Sequence, residues 1–187
     1  VNIIAGDNLI KEEGVVLKGS GTFKFGDNVR LCANAVIHSG VIIGNNVLIG
    51  DLACIREGVI IGDNSVIGAH SIVENNTKIG KNVRVQANAY ITAYVTIEDE
   101  VFIAPCFVST NDNFMGRTPK QFTTQNGCYI RRGARVGAGS CVLPNIEIGE
   151  NAMVAMGSVV TRNVPARKLV MGTPARIVKD VPEEEWK

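Results

Sequence analysis

Large apolar residues recur at every sixth position from Phe25. Leu31, Ile37, Ile43, Ile49, Ile55, Ile61, Ile67, Val73, Ile79, Val85, Ile91, Ile97 and Ile103 follow in unbroken register. A second run, in a new register, takes in Ile130, Val136, Val142, Ile148, Val154 and Val160. Two residues before most anchors stands a small or β-branched residue, among them Ala35, Val47, Ser65, Ser71, Thr77, Ala89, Ala134, Ser140 and Ser158. Inward positions at i and i−2 are the alternation of a short strand. A helical period of 3.6 loses phase at six-residue steps, so a helical solenoid is a poor fit.

A longer period overlies the first. Gly26-Asp27-Asn28, Gly44-Asn45-Asn46, Gly62-Asp63-Asn64, Gly80-Lys81-Asn82 and Glu98-Asp99-Glu100 recur every 18 residues. These are turn-forming residues. Three hexapeptides therefore make one coil of three strands and three corners, and the chain is an all-β parallel β-helix. Positions 18 apart stack one strand spacing apart, about 4.8 Å. The 27-residue step from Ile103 to Ile130 breaks the register. Residues 109–128, polar with Gly and Pro, are predicted to leave the coil as an excursion loop, and such loops are commonly functional. The expected organisation is a β-helix domain over 1–165 and a tail over 166–187 that packs back on the last coils.

Composition narrows the function. The 187 residues suffice for one domain, and 45% hydrophobic with 20% charged residues describes a folded chain. No run of about 18 apolar residues occurs, so no membrane insertion is expected. No signal segment is visible, and a cytoplasmic location is expected. Five cysteines form no CxxC pair and read as buried reduced thiols. The net charge of +1 is uneven. Residues 1–116 hold 8 Lys/Arg against 12 Asp/Glu (−4), residues 117–179 hold 10 against 2 (+8), and the last eight hold 1 against 4 (−3). The basic segment suggests an anionic ligand near the C-terminal half. Its lack of interleaved aromatics argues against nucleic acid.

Of the two histidines, His38 directly follows an anchor and reads as an ordinary surface residue. His70, Asn88 and Cys106 stand 18 apart and stack at one corner, below the expected start of the loop.

The repeated string I-G-x-N-x-V-x-I-G resembles the left-handed β-helix of the hexapeptide-repeat acyltransferases. So do Gly157-Ser158-Val159-Val160-Thr161 and Gly172-Thr173-Pro174-Ala175-Arg176, which are similar to the closing motifs of the family's acetyl-CoA enzymes. The resemblance covers about 140 of the 187 residues and supplies the hand of the helix. It implies a homotrimer with active sites between the β-helices of neighbouring subunits, and acetyl-CoA as cosubstrate. Ala138 and Met156 match the groove for the pantetheine arm. Thr161, Arg162, Arg176 and Lys179 match positions around the adenosine phosphates.

Sugar O-acetyltransferases of the family carry a catalytic His in the loop; the stretch Thr110-Asn111-Asp112-Asn113-Phe114 has none. A hydroxyl needs a base during attack, whereas an amine need only be unprotonated. Val85-Gln86-Ala87-Asn88, Thr96-Ile97-Glu98-Asp99-Glu100 and Thr110-Asn111 resemble the branch that N-acetylates nucleotide-linked amino sugars. That resemblance implies catalytic roles for Asn88 and His70 and substrate contacts from Asn111, Asp112 and Arg117. The expected activity is acetyl-CoA-dependent N-acetylation of an amino sugar. The alternatives are O-acetylation of a sugar or serine-like hydroxyl with His70 as base, and a non-catalytic scaffold. No metal is expected, since the zinc-type branch needs three histidines and the chain has 2.

Overall fold

A computed structural model describes residues 2–119 and 127–187. The chain is a parallel β-solenoid whose coils build three sheets of eight, ten and eight strands, here A, B and C. Each sheet gains one strand per coil, so strands that neighbour in space are three apart in sequence order. Most strands are two residues long, the second buried as an anchor and the first facing outward. Val41, Val47, Ala53 and Val59 fill the inner position two residues earlier, each at most 1% exposed. The six-residue period thus becomes one continuous core of stacked Ile and Val.

The register holds at 18 through the middle coils, with Ile43 opposite Ile61 and Ile61 opposite Ile79. The first coil takes 20 residues, Asn2 lying opposite Thr22. The coil bearing the loop takes 33, Thr96 lying opposite Tyr129. Turn chemistry fixes the A–B corner. Asn28, Asn46 and Asn64 adopt left-handed backbone, and their side-chain amides form a ladder, each donating to the next at 3.0 Å. Polar inner residues are likewise tied across coils: the Ser65 hydroxyl donates to the Gly80 carbonyl (2.9 Å) and accepts from the Val83 N–H (3.0 Å). Among the described residues no buried side-chain polar atom lacks a partner, as a stable core demands.

The excursion is shorter than its expected bounds of 109–128. Val108–Ser109 is a strand of sheet C, and Ser109 occupies an anchor position with no exposure. Its Oγ accepts the Thr92 N–H at 2.9 Å, so a polar residue continues the hydrophobic register. Cys128 is buried on the return. The part of the loop over 120–126 lies outside the described residues. Past the last coil, Lys168–Gly172 joins sheet B beside Met153–Val154, and Ala175–Asp180 pairs antiparallel with it. These two strands extend sheet B, and the residues after them turn back over the coils, where the Lys187 N–H donates to Asn151 Oδ1 (2.8 Å).

Candidate active site

The B–C corner gathers the two expected catalytic residues and part of the expected cofactor groove. Asn34, Leu52, His70, Asn88 and Cys106 stack there with φ of 58°, 58°, 59°, 60° and 61°. Left-handed backbone is costly for residues other than Gly. Each is held by an N–H bond to the coil before: His70 to Asp51 O (2.8 Å), Asn88 to Ala69 O (2.9 Å) and Cys106 to Ala87 O (3.1 Å). The column continues through Gly139 and Gly157, whose N–H groups donate to Pro105 O (2.9 Å) and Ala138 O (2.8 Å). Ala138 and Met156 immediately precede these glycines, so they share the edge with His70 and Asn88. Gly172 N–H donates to the Ser158 hydroxyl at 3.2 Å, which sets the Gly172–Arg176 hairpin turn above the same corner. His70 and Asn88 are exposed, and among the described residues neither side chain has a hydrogen-bond partner.

Other expected residues lie elsewhere. The loop leaves at the C–A corner, one strand beyond Cys106, and not directly above the His70 column. Thr110 stacks under Leu143 there, and Thr161 and Arg162 follow one coil on. Lys179 sits in the terminal hairpin opposite Leu169. In the loop, the Asp112 carboxylate accepts the N–H groups of Phe114 (2.7 Å) and Gly116 (2.6 Å), so it shapes a turn. Asn111 is half-buried and Arg117 exposed.

His38 is no surface residue: it is 8% exposed, with Nδ1 2.6 Å from a Glu57 carboxylate oxygen. Glu57's own backbone N–H, then Arg56 and His38, hold its carboxyl down at about 2. Position after an anchor could not reveal this, because the acid is 19 residues away on the next coil. Part of the basic segment is also neutralised across coils. Arg131 bridges Glu98 (2.8 Å) and Glu147 (2.5 Å), and Arg132 reaches Glu100 (3.4 Å). The thiols divide as well: Cys128 is buried and pushed up to about 12, whereas Cys106 is exposed. Glu12, Cys32 and Asp51 bring donor atoms within 4.8 Å of one another, but Glu12 is already engaged by Arg30.

Residues 4–120 match the family model described as GMPPB C-terminal domain, and residues 127–162 match that described as bacterial transferase hexapeptide (six repeats). The chain belongs to the GMPPB C-terminal domain family and to the hexapeptide-repeat transferases. It is 38% identical over 92 residues to a serine acetyltransferase of Buchnera aphidicola, covering 49% of this chain and 31% of the relative. It is 44% identical over 57 residues to a 2,3,4,5-tetrahydropyridine-2,6-dicarboxylate N-acetyltransferase of Clostridium perfringens, covering 30% and 24%. The chain thus spans a third or less of these curated relatives. Among solved structures, UDP-N-acetylglucosamine acyltransferase from Campylobacter jejuni shares the fold, with a TM-score of 0.56 at 20% identity over 94% of this chain and 74% of that one. No helix among the described residues is long and apolar enough to cross a membrane.

Proposed function

We propose that the chain is an acetyl-CoA-dependent N-acetyltransferase acting on the amino group of an amino sugar, most simply a nucleotide-linked one. The observation that carries the reading is the shared B–C edge. His70 and Asn88 lie at its lower end, and Met156 and the Gly172–Arg176 turn at its upper end. Three coil steps separate Asn88 from Gly157, about 14 Å, which suits a long thioester arm laid along the edge. The fit is supported by open space beside Gly139 and Gly157, where an added Cβ would meet nothing within 4 Å. Bare backbone there can hydrogen-bond the amides of the arm, while Met156, 76% exposed, offers an apolar wall. Arg176 places a cation at the phosphate end.

The Asn88 amide would orient the acceptor amine and polarise the thioester carbonyl, and His70 would accept a hydrogen bond from the amine. The neutral amine attacks the carbonyl carbon, the C–S bond breaks, and the amine's proton passes to solvent or thiolate. Asn111 and Arg117 are the loop's candidates for substrate contact, with Asp112 shaping the turn between them. O-acetylation with His70 as base is the second reading, supported by the serine acetyltransferase match. Among the described residues His70 has no carboxylate partner to hold a base in one tautomer.

A homotrimer is part of the proposal. The outward positions of sheet C form an uncharged stripe: Val16, Val36, Cys54, Ile72, Tyr90, Val108, Cys141 and Val159. Sheets A and B carry Lys24, Lys78, Arg30 and Arg84 at the matching positions. A stripe some 34 Å long is a candidate for burial against a neighbouring copy. A cytoplasmic location is also part of the proposal, where acetyl-CoA would be at hand.

The test is an acetyl-transfer screen over nucleotide-linked amino and hydroxy sugars and serine, reading free CoA thiol, with thermal shift by acetyl-CoA alongside. Transfer to amino sugars is expected. Products from hydroxyl acceptors alone would overturn N-acylation. No transfer and no shift would leave the scaffold reading.

A further inference from the structure

On sheet B, Arg84, Phe102 and Arg135 are direct neighbours in successive coils, all facing outward. A cavity of about 460 Å³ opens over them, and Lys187 forms part of its wall. Phe102, Arg135 and Lys187 also border a second cavity of about 500 Å³, whose far side holds Met153, Trp186, Glu184 and Glu185. The two make one shelf with a cationic half and an apolar half, the latter rimmed by carboxylates.

The cations of this shelf differ from those on nearby columns. Lys81, Arg131 and Arg132 are each paired with a carboxylate. Among the described residues, Arg84, Arg135 and Lys187 form no ion pair. Arg135 is half-buried, with Nη1 donating to the carbonyl oxygens of Glu100 (2.5 Å) and Ala134 (3.2 Å). Burial lowers its pKa, and the nearby Glu100 carboxylate only partly offsets this. Glu100, the carboxylate of the first cavity, is turned to Arg132.

We propose that this shelf binds a nucleoside phosphate. The phosphate lies between Arg84, Arg135 and Lys187, where guanidinium forks suit its oxygens. The base lies against Phe102 and runs toward Met153 and Trp186. Glu184 and Glu185 accept hydrogen bonds from hydroxyl or amino groups at the rim. Inorganic phosphate alone leaves the apolar half empty, and a neutral ring alone leaves the cations unanswered. The nucleotide could come from a nucleotide-linked substrate or from the adenosine end of coenzyme A. Cys106 follows Phe102 by four residues, so the shelf lies about 13 Å from the His70–Asn88 edge.

Trp186 is the chain's single tryptophan and lines the shelf, which provides a fluorescence reporter. The protein is titrated with UMP, AMP, uridine and inorganic phosphate, with calorimetry in parallel, in the absence of any acyl donor. Saturable binding of a nucleoside monophosphate is expected, about tenfold or more tighter than uridine or phosphate alone. Arg84→Ala, at an exposed position, should weaken it about tenfold or more, and Arg135→Lys should weaken it less. Competition by acetyl-CoA in the wild type identifies the cofactor as the source of the nucleotide; additive binding identifies a separate one. No saturable binding of either nucleotide, or unchanged affinity in both Arg84→Ala and Phe102→Leu, overturns the proposal. Because no transfer is read, an inactive protein that binds nucleotide leaves the shelf intact, and an active one that does not removes only the shelf.

Discussion

The left-handed corner residues separate two kinds of chemistry on one backbone. His70 and Asn88 share φ, cross-coil N–H bonding and exposure, so exchanging their side chains tests chemistry with little change in fold. With an amine acceptor, His70→Asn should keep substantial kcat/KM because a hydrogen-bonding group remains. Asn88→Ala should lose more. With a hydroxyl acceptor, His70→Asn should fall by the ~10²–10⁴-fold of a lost general base. The profile of kcat/KM against pH for both variants decides, and collapse of His70→Asn with acetyl-CoA binding intact would sink the amine mechanism. Glu57 makes a second residue-scale prediction. Its folded-state pKa is depressed to about 2, so its contribution to stability is fully present above the ordinary carboxylate range. It is lost as pH falls from about 4 toward 2. Glu57→Gln should flatten that acid limb in urea titrations; an unchanged slope would assign the limb to other carboxylates.

At the scale of the element, the repeat was legible because one anchor per hexapeptide is what a two-residue strand requires. Side chains that bridge coils were not. Ser109 continues the anchor column as a hydroxyl, so a purely hydrophobic register stops one strand early at Ile103. His38 meets its partner only after a full coil and one residue more. Of the site, the His70–Asn88 column and the Ala138–Met156 pair followed from spacing and resemblance, and the structure puts them on one edge. The separation of Arg162 from that edge needed the corner assignments, and the hand of the coil came from resemblance because parallel register is the same for either hand. Gly127 shows what the loop's return requires. An added Cβ would lie 2.2 Å from the carbonyl carbon and oxygen of Tyr94. Gly127→Ala should therefore destabilise by at least the ~1–3 kcal/mol of overpacking. Gly116→Ala has open space but a φ of +74°, and should cost about 1 kcal/mol from backbone strain alone. Equal urea midpoints for the two would contradict the close approach at Tyr94.

For the whole molecule, the separation of the two cationic motifs is itself informative. Arg176 lies above the His70–Asn88 edge, whereas Arg162 follows the far end of the last sheet C strand. One chain presents them at different corners; a cofactor held between two chains packed side by side could meet both. If both contact phosphates, Arg176→Ala and Arg162→Ala should each weaken acetyl-CoA binding by ~1.5–3 kcal/mol, and rising salt should weaken it further. The wild type should run as a trimer, and Ile72→Asp, which charges the sheet C stripe, should dissociate it. The decisive measurement mixes subunits. Arg162→Ala and Asn88→Ala chains, each strongly impaired alone when acetyl-CoA is kept limiting, are unfolded together and reassembled. A site that takes its edge from one chain and Arg162 from the next is intact when an Arg162→Ala edge meets an Asn88→Ala neighbour, which random 1:1 mixing yields in about one quarter of sites. Recovery of roughly a quarter of wild-type activity is expected. If the mixture stays as impaired as its components while still trimeric, Arg162 and the Asn88 edge act within one chain and the shared site is refuted.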